Sequence, residues 1–199
     1  MSAVKIDSMK LRGPWTDGWV LERQHTLSSE FLGHDSSGNP QFDTKRSELG
    51  ELVFRLKNRN DKNALDPIVE TAVEFIKNWA PPFDVIVPVP PSRKRLSYQP
   101  VVEIAKAIGS RLSKAVNQTA VNKIKDPPEL KNIFDYQQRS KLLQGAFNID
   151  RDAVGGKRVL LIDDLYRSGA TATVVAQDLL GSGAAAVYML AMTKTRTRT

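Results

Sequence analysis

Residues 159–171 read V-L-L-I-D-D-L-Y-R-S-G-A-T, an apolar run followed by two aspartates and a short polar loop. The apolar run predicts a buried strand over residues 157–163, because strands covered on both faces are continuously apolar. Such a strand delivers Asp163 and Asp164 at its carboxyl end, where open α/β sheets place their ligands. A helix predicted over residues 171–180 follows the loop, and a helix N-terminus favours an anion such as phosphate.

The side chains of this loop fit a phosphorylated sugar. Ser168 and Thr171 offer hydroxyl donors, and Gly169 lets the backbone approach a ligand closely. Arg167 adds positive charge. The two preceding carboxylates suit the hydroxyls of a ribose, or a hydrated Mg²⁺, better than they suit a phosphate. The alternative is an ordinary capped turn with surface carboxylates. The apolar strand before the acids, together with S-G-A-T after them, favours the ligand site.

The rest of the chain alternates between helices and strands. Apolar residues at helical spacing predict helices, and short apolar runs bounded by glycine or proline predict strands. The predicted helices cover residues 45–59, 66–79 and 101–112, and the further strands cover residues 83–89 and 185–193. Strands alternating with helices predict an α/β protein with a parallel sheet. Residues 117–145 show little periodicity and predict a long, partly mobile connection.

The N-terminal region predicts a hairpin. Two short strands, over residues 19–26 and 41–44, are separated by the turn-rich segment H-D-S-S-G-N-P. His25 and His34 lie in this region, and we expect packing or surface roles for both.

Composition restricts the classes of function. The chain has 199 residues, no cysteine and two histidines, which excludes disulfides, thiolate zinc sites and cysteine nucleophiles, and leaves oxygen ligands for a metal. Lys and Arg exceed Asp and Glu by 29 to 22, a formal charge of +7 that favours an anionic partner, either nucleic acid or a small polyphosphate. No apolar run reaches the roughly 20 residues that cross a bilayer, and no signal peptide is visible. We therefore expect a cytoplasmic protein with no membrane partner.

The stretch with the two acids resembles a known signature. Residues 159–171 are similar to the 5-phosphoribosyl-1-pyrophosphate (PRPP) signature of type I phosphoribosyltransferases. Three further stretches resemble, in order, the competence protein F (ComF) family of phosphoribosyltransferase-like proteins: D-V-I-V-P-V-P-P-S-R-K-R-L at 84–96, Q-Q-R-S-K-L-L-Q-G-A-F-N-I at 137–149 and G-S-G-A-A-A-V-Y-M-L-A-M-T-K-T at 181–195. E-L-V-F-R-L-K-N-R-N-D at residues 51–61 also resembles the helix that precedes the catalytic domain in that family.

The resemblance implies a fold and an activity. The fold is the parallel-sheet type I phosphoribosyltransferase fold, in which residues 1–62 form a hood-like N-terminal hairpin plus helix and residues 63–199 form the core. The activity is a Mg²⁺-dependent transfer of the 5-phosphoribosyl group from PRPP to a nitrogenous base with release of pyrophosphate, by a homodimer. Two alternatives stay open on the same fold: a non-catalytic protein that binds PRPP or a nucleotide, and a competence-related protein that associates with nucleic acid. No nucleic-acid motif favours the latter.

The resemblance also implies roles for individual residues. Asp163 and Asp164 are the implied catalytic residues, which bind the ribose hydroxyls and contact Mg²⁺ through the ribose or water. The implied phosphate and loop contacts are Arg167, Ser168, Gly169, Ala170 and Thr171 for the 5-phosphate, Pro91, Ser92, Arg93 and Lys94 for the pyrophosphate, and Arg139 and Lys141 on a flexible loop over the reacting centre.

The chain departs from the family in three places. The family's N-terminal zinc-binding cysteines are absent, so we expect packing around Trp15, Trp19 and Phe31 to order this region. Residues 96–100 read L-S-Y-Q-P where the family has R-G-F-N-Q. Arg167 stands at a position that the family fills with a small residue, so it either contacts the phosphate or crowds the site.

Overall fold

A six-stranded sheet lies at the centre of the computed structural model, which describes residues 2–91, 98–125 and 136–195, without the side chains of Tyr136, Gln137 and Arg139. The strands of this sheet are β1 (Met9–Lys10), β2 (Asp17–Glu22), β5 (Val85–Pro88), β6 (Ala115–Val116), β9 (Arg158–Tyr166) and β10 (Ala186–Lys194). Their spatial order is β1-β2-β10-β9-β5-β6.

The sheet is largely parallel. β9 lies between β5 and β10 and is parallel to both, with Val159 level with Val85 on one side and with Val187 on the other. β2 is parallel to β10 and β6 is parallel to β5, whereas β1 is antiparallel to β2. The predicted parallel α/β class is confirmed.

Helices cover both faces of the sheet. They are α1 (Glu48–Asn58), α2 (Leu65–Trp79), α3 (Pro100–Leu112), α4 (Tyr136–Leu143), α5 (Arg151–Val154) and α6 (Ala170–Gly181), with a 3-10 turn at Lys62–Ala64. The predicted helices are confirmed, and their ends differ from the prediction by three residues or fewer. Ser47 explains the start of α1, because its hydroxyl accepts a hydrogen bond from the backbone N–H of Gly50 at 3.1 Å.

Alternate residues of β9 enter two different cores. Val159 and Leu161 pack on the side of α6, and Leu160 and Ile162 pack on the side of α1, α2 and α3. All four are fully buried, and each contributes roughly 1.5–3 kcal/mol through the hydrophobic effect. The continuous apolar run of the sequence is therefore a consequence of two covered faces.

The structure contains the predicted hairpin, but the residues predicted for its first strand were wrong. The hairpin consists of β3 (Thr26–His34) and β4 (Pro40–Arg46), which pair antiparallel outside the central sheet. The first half of the strand predicted over residues 19–26 belongs instead to β2, in the central sheet. The reason is burial on both faces, since Val20 and Leu21 are both completely buried and enter opposite cores.

The aromatic residues of the N-terminal region differ in how deeply they are buried. Trp15 is buried and donates its indole N–H to the backbone carbonyl of Leu11 at 2.8 Å. Trp19 is half-buried and packs edge-on against Phe75. Phe31 was expected to help order this region, but it lies on the hairpin with 52% of its surface exposed. The separation of residues 1–62 from the rest stays a prediction.

The connection predicted over residues 117–145 contains regular structure in its described parts. β7 (Val121–Lys123) pairs antiparallel with β8 (Phe147–Ile149), and α4 follows residues 126–135, which lie outside the described part of the chain. Elements this short give little periodic signal in sequence. Within the described residues, helices that combine enough length and apolar character to span a membrane are absent.

Candidate functional site

The two aspartates lie inside β9 rather than at its end. The strand was predicted to finish at residue 163, but Leu165 and Tyr166 still pair with Thr193 and Lys194 of β10. Because neighbouring residues of a strand point to opposite faces, Asp163 continues the face of Leu161 and Asp164 continues the other face. The acid pair therefore straddles the sheet.

A lysine from α1 holds the second aspartate. Lys57 Nζ lies 2.7 Å from Asp164 Oδ1, and only 9% of the Asp164 side chain is exposed. A buried carboxylate without a counter-charge would destabilise the fold, so this ion pair stabilises the Asp164 side chain at the edge of the core. The sequence interpretation missed Lys57. Its signal was a charged residue four positions after the buried Val53, on the apolar stripe of α1.

A buried histidine supports the same strand from behind. His25 Nδ1 lies 3.0 Å from Thr193 Oγ1, and the Thr193 hydroxyl donates to the backbone carbonyl of Asp164 at 3.4 Å. Burial, and then the positive charges of Arg46 and Lys57, lower the pKa of His25 to about 4. His25 is therefore neutral at pH 7, and the packing role expected for it is confirmed.

Asp163 has an unusual electrostatic environment. Burial raises the pKa of its carboxyl to about 6, and the negative charge of Asp164 adds to the rise, while Lys57 opposes it. Hydrogen bonds from the backbone N–H groups of Leu165 and Asp164 also favour the charged form. The carboxyl is mostly ionised at pH 7 but takes up a proton under mildly acidic conditions.

The predicted phosphate loop forms a tight turn between β9 and α6. Gly169 has φ +78°, a left-handed conformation that favours glycine, and it stands directly before the first residue of α6. A Cβ at residue 169 would also collide with the Tyr166 hydroxyl. Arg167 is exposed, Ser168 is half-buried, and the Ser168 hydroxyl accepts a hydrogen bond from the backbone N–H of Ala170 at 3.4 Å.

The five residues predicted to bind the 5-phosphate thus form the turn and the first two residues of α6. Thr171 follows as the second residue of α6 and is half-buried. Four backbone N–H groups at the start of a helix have no partner within the helix, so this turn offers donors to an anion. Their role in binding stays a prediction.

The predicted pyrophosphate loop is described in part. Pro88 is level with Ile162 in the parallel pair β5–β9, and Val89 donates its backbone N–H to the Ile162 carbonyl at 2.8 Å. Pro91 therefore leaves β5 at the same edge of the sheet as the aspartates. Ser92, Arg93 and Lys94 lie outside the described residues.

The residues predicted for a flexible loop lie on α4. Lys141 is exposed near the end of this helix, and the side chain of Arg139 lies outside the described part of the chain. α4 packs against α6 and buries Leu143. A helix therefore stands where we predicted an irregular connection, and the proposed contact of both side chains with a ligand stays a prediction.

Comparisons with known proteins find similarity at the level of structure. No protein-family model matches the chain, and a search of curated proteins finds no match. The chain is similar to the structure of the allosteric regulatory enzyme of purine biosynthesis, at 17% identity and a TM-score of 0.51, over 79% of this chain and 34% of that one. It is also similar to glutamine PRPP amidotransferase from B. subtilis, complexed with ADP and GMP, at 18% identity and a TM-score of 0.50, over 79% and 34%.

This similarity establishes the fold. The chain spans about a third of the length of both enzymes, and the shared part has the central parallel sheet of the type I phosphoribosyltransferase fold. Adenine phosphoribosyltransferase from Leishmania tarentolae matches over 97% of each chain at 14% identity, but its TM-score of 0.49 adds no weight to the argument. The predicted fold class is confirmed, and the closer resemblance to the competence protein F family stays a prediction.

Proposed function

We propose that the chain binds PRPP and transfers its 5-phosphoribosyl group to a nitrogenous base, with release of pyrophosphate. One observation carries this proposal: Asp163 and Asp164 lie in the last four residues of β9, shortly before the tight turn at Gly169 and the N-terminus of α6. The shared fold with glutamine PRPP amidotransferase, whose name includes this ligand, supports the same conclusion.

The 5-phosphate would occupy the turn over residues 167–171. The backbone N–H groups at the start of α6 would donate to its oxygens, and the exposed Arg167 would add a charge-assisted hydrogen bond. Asp163 would accept hydrogen bonds from the ribose hydroxyls next to it. Pro91 and the residues that follow it would meet the pyrophosphate from β5.

The donor set fits Mg²⁺ that is shared with the ligand. The described residues hold no group of three or more His, Cys, Asp or Glu side chains that would make a protein-only metal site. Mg²⁺ is usually bound through one or two carboxylates together with substrate phosphates, which Asp163 and a diphosphate would provide, whereas Asp164 faces the other side of the sheet and pairs with Lys57. When bound, the ion would neutralise charge on the departing pyrophosphate.

The proposed reaction requires no covalent intermediate with the protein. A nitrogen of the base attacks C1 of the ribose, the C1–O bond to pyrophosphate breaks, and pyrophosphate leaves with the bonding electrons. The protein contributes by holding the two reactants in line. The carboxylate of Asp163 would also stabilise positive charge that develops on the ribose ring. A cytoplasmic location and a homodimer stay predictions.

Isothermal titration of PRPP, with and without Mg²⁺, tests the proposal. We expect binding that requires Mg²⁺ and weakens about a hundredfold in the Asp163→Asn/Asp164→Asn variant, because hydrogen bonds to charged groups are the stronger ones. Asp152→Asn removes an exposed carboxylate from α5 and is the matched control. A folded wild-type protein that does not bind PRPP would refute the proposal.

If PRPP binds, a screen of nucleobases for pyrophosphate release separates an enzyme from a protein that only binds the ligand. Release that depends on one base identifies the acceptor. Binding without release for any base would support the non-catalytic alternative.

A further inference from the structure

The hairpin of β3 and β4 stands apart from the rest of the molecule. Residues 27–32 and 34–43 are exposed, and the members of both hydrophobic cores lie outside residues 27–44. We call residues 27–44 the arm and the rest of the chain the body. A two-stranded hairpin without a cover on either face is only marginally stable in water. A second layer packed on the arm would therefore stabilise it.

One face of the arm is aromatic. Phe31 and Phe42 are directly opposite each other in the strand register, and their ring centroids are 5.5 Å apart. The ring of His34 meets Phe31 edge-on at 5.2 Å. The arm holds four of the seven exposed large apolar side chains in the described residues: Leu27 (47% exposed), Phe31 (52%), Leu32 (65%) and Phe42 (54%). Such a concentration of exposed apolar surface marks a contact with another protein.

The arm is acidic, whereas the body is strongly basic. Residues 27–44 contain Glu30, Asp35 and Asp43 but no lysine or arginine, so the formal charge of the arm is −3. The whole chain has 29 basic and 22 acidic residues, and three of the acids are in the arm, so the body carries 29 positive against 19 negative charges, a formal charge of +10. Charges of opposite sign favour the orientation of two copies that brings an arm onto a body.

Two carboxylates of the arm repel each other. Glu30 is directly opposite Asp43 in the register, next to the Phe31–Phe42 pair and on the other face of the strands. Like charges in this position destabilise a strand pair. Among the described residues, neither carboxylate belongs to an ion pair. Positive charge brought by a partner would therefore relieve the repulsion within the arm.

We propose that the arm mediates dimerisation and packs against the body of a second copy of this chain. The Phe31–Phe42 pair provides the apolar anchor, and the carboxylates attract the basic body of the partner. A two-fold axis repeats every contact, so the arm of each copy meets the body of the other and the assembly closes as a dimer. Register shifts between Thr26 and Ser28 and between Phe31 and Gly33 interrupt the regular edge of β3, which favours contact through the faces of the arm over addition of a further strand.

Sedimentation equilibrium of the whole chain measures this association. We expect the wild-type protein to be dimeric at about 0.1 mM, a concentration at which a micromolar dissociation constant gives mostly dimer. Phe31→Ser/Phe42→Ser should weaken dimerisation at least about a hundredfold, because aromatic anchors carry much of the binding energy of an interface and a symmetric dimer loses each anchor twice. Leu180→Ser removes an exposed apolar side chain from α6 and is the matched control, which should not change the association.

A second variant tests the contribution of charge. Glu30→Gln/Asp43→Asn removes the repulsion within the hairpin, so it should fold at least as well as wild type, yet we expect its dimerisation to be about tenfold weaker. Raising the salt concentration from about 0.05 M to about 0.5 M should weaken the wild-type dimer and should affect this variant less. Asp152→Asn removes an exposed carboxylate from the body and is the matched control.

The outcomes decide the proposal without reference to the proposed function. The three tryptophans, Trp15, Trp19 and Trp79, all lie in the body, so tryptophan fluorescence in urea unfolding checks that the body of each variant is folded. A wild-type protein that remains monomeric at about 0.1 mM would overturn the proposal, as would a dimer whose dissociation constant is unchanged in either arm variant. Weaker association in both arm variants and in neither control would support it, whether or not the protein binds PRPP.

Discussion

The two neighbouring aspartates should respond in opposite ways to the same substitution. We expect Asp163→Asn to raise the free energy of unfolding at pH 7 and Asp164→Asn to lower it. Asp163 is charged at pH 7 although burial and its neighbour disfavour the charge. Asp164 is more buried, but it has Lys57 as a direct partner.

The size of both effects follows from the site. The pKa of Asp163 rises from 3.8 to about 6, and each pKa unit corresponds to about 1.36 kcal/mol, so the upper limit of the gain is about 3 kcal/mol. Because the Asp163 side chain retains some exposure, we expect about 2 kcal/mol. Asparagine can still accept the backbone hydrogen bonds. Asp164→Asn should cost about 1 kcal/mol, since the loss of the ion pair outweighs the relieved repulsion.

The effect of Asp163→Asn should depend on pH in a defined direction. The folded protein binds more protons at this carboxyl than the unfolded chain does between pH 4 and pH 6, so the wild-type protein is progressively destabilised as the pH rises through this window. The asparagine variant lacks this contribution. The gain in the free energy of unfolding of Asp163→Asn over wild type should be close to zero below pH 4 and should reach its full value above pH 6.

Urea unfolding followed by tryptophan fluorescence at several pH values measures these differences. The contribution of His25 to the pH dependence is common to both proteins and cancels in the comparison. Asp152→Asn should change little at any pH, because this side chain is exposed. A destabilised Asp163→Asn variant, or a gain that does not vary with pH, would refute the argument that burial of charge dominates at Asp163.

Three further predictions concern the turn, the histidine and the core. In urea unfolding, Gly169→Ala should lower the free energy of unfolding by at least about 1 kcal/mol more than Gly38→Ala does. Both glycines have nearly the same positive φ, but only the new methyl group at residue 169 meets Tyr166. Equal losses in the two variants would contradict the proposed contact. The pKa of His25 in the folded protein lies below its unfolded value of about 6.5, so the contribution of His25 to stability is lost as the pH falls from 6.5 to 4. The free energies of unfolding of His25→Gln and wild type should therefore differ by an amount that changes with pH only across this window. Leu161→Ala should lower the free energy of unfolding by about 2–5 kcal/mol, and a smaller loss would mean that the core on the α6 side can collapse around the cavity.

Local sequence was sufficient to predict most of the elements around the site. The central strand was predicted from continuous burial on both faces, and the helices were predicted from apolar residues at helical spacing. Gly169 and the acids before it indicated a turn that binds a ligand, because these residue types have few other reasons to occur together. Each of these signals depends on the conformation of a few neighbouring residues.

Only the tertiary structure decided how distant segments meet. β2 was predicted as part of a hairpin, yet it pairs with β10, which lies about 170 residues away along the chain. Lys57 reaches the aspartate strand from 107 residues away, and His25 contacts Thr193 of the neighbouring β10 from 168 residues away. Residue patterns report which faces of an element are buried but not which partner covers them, so the acid pair was visible in the sequence and its counter-cation was not.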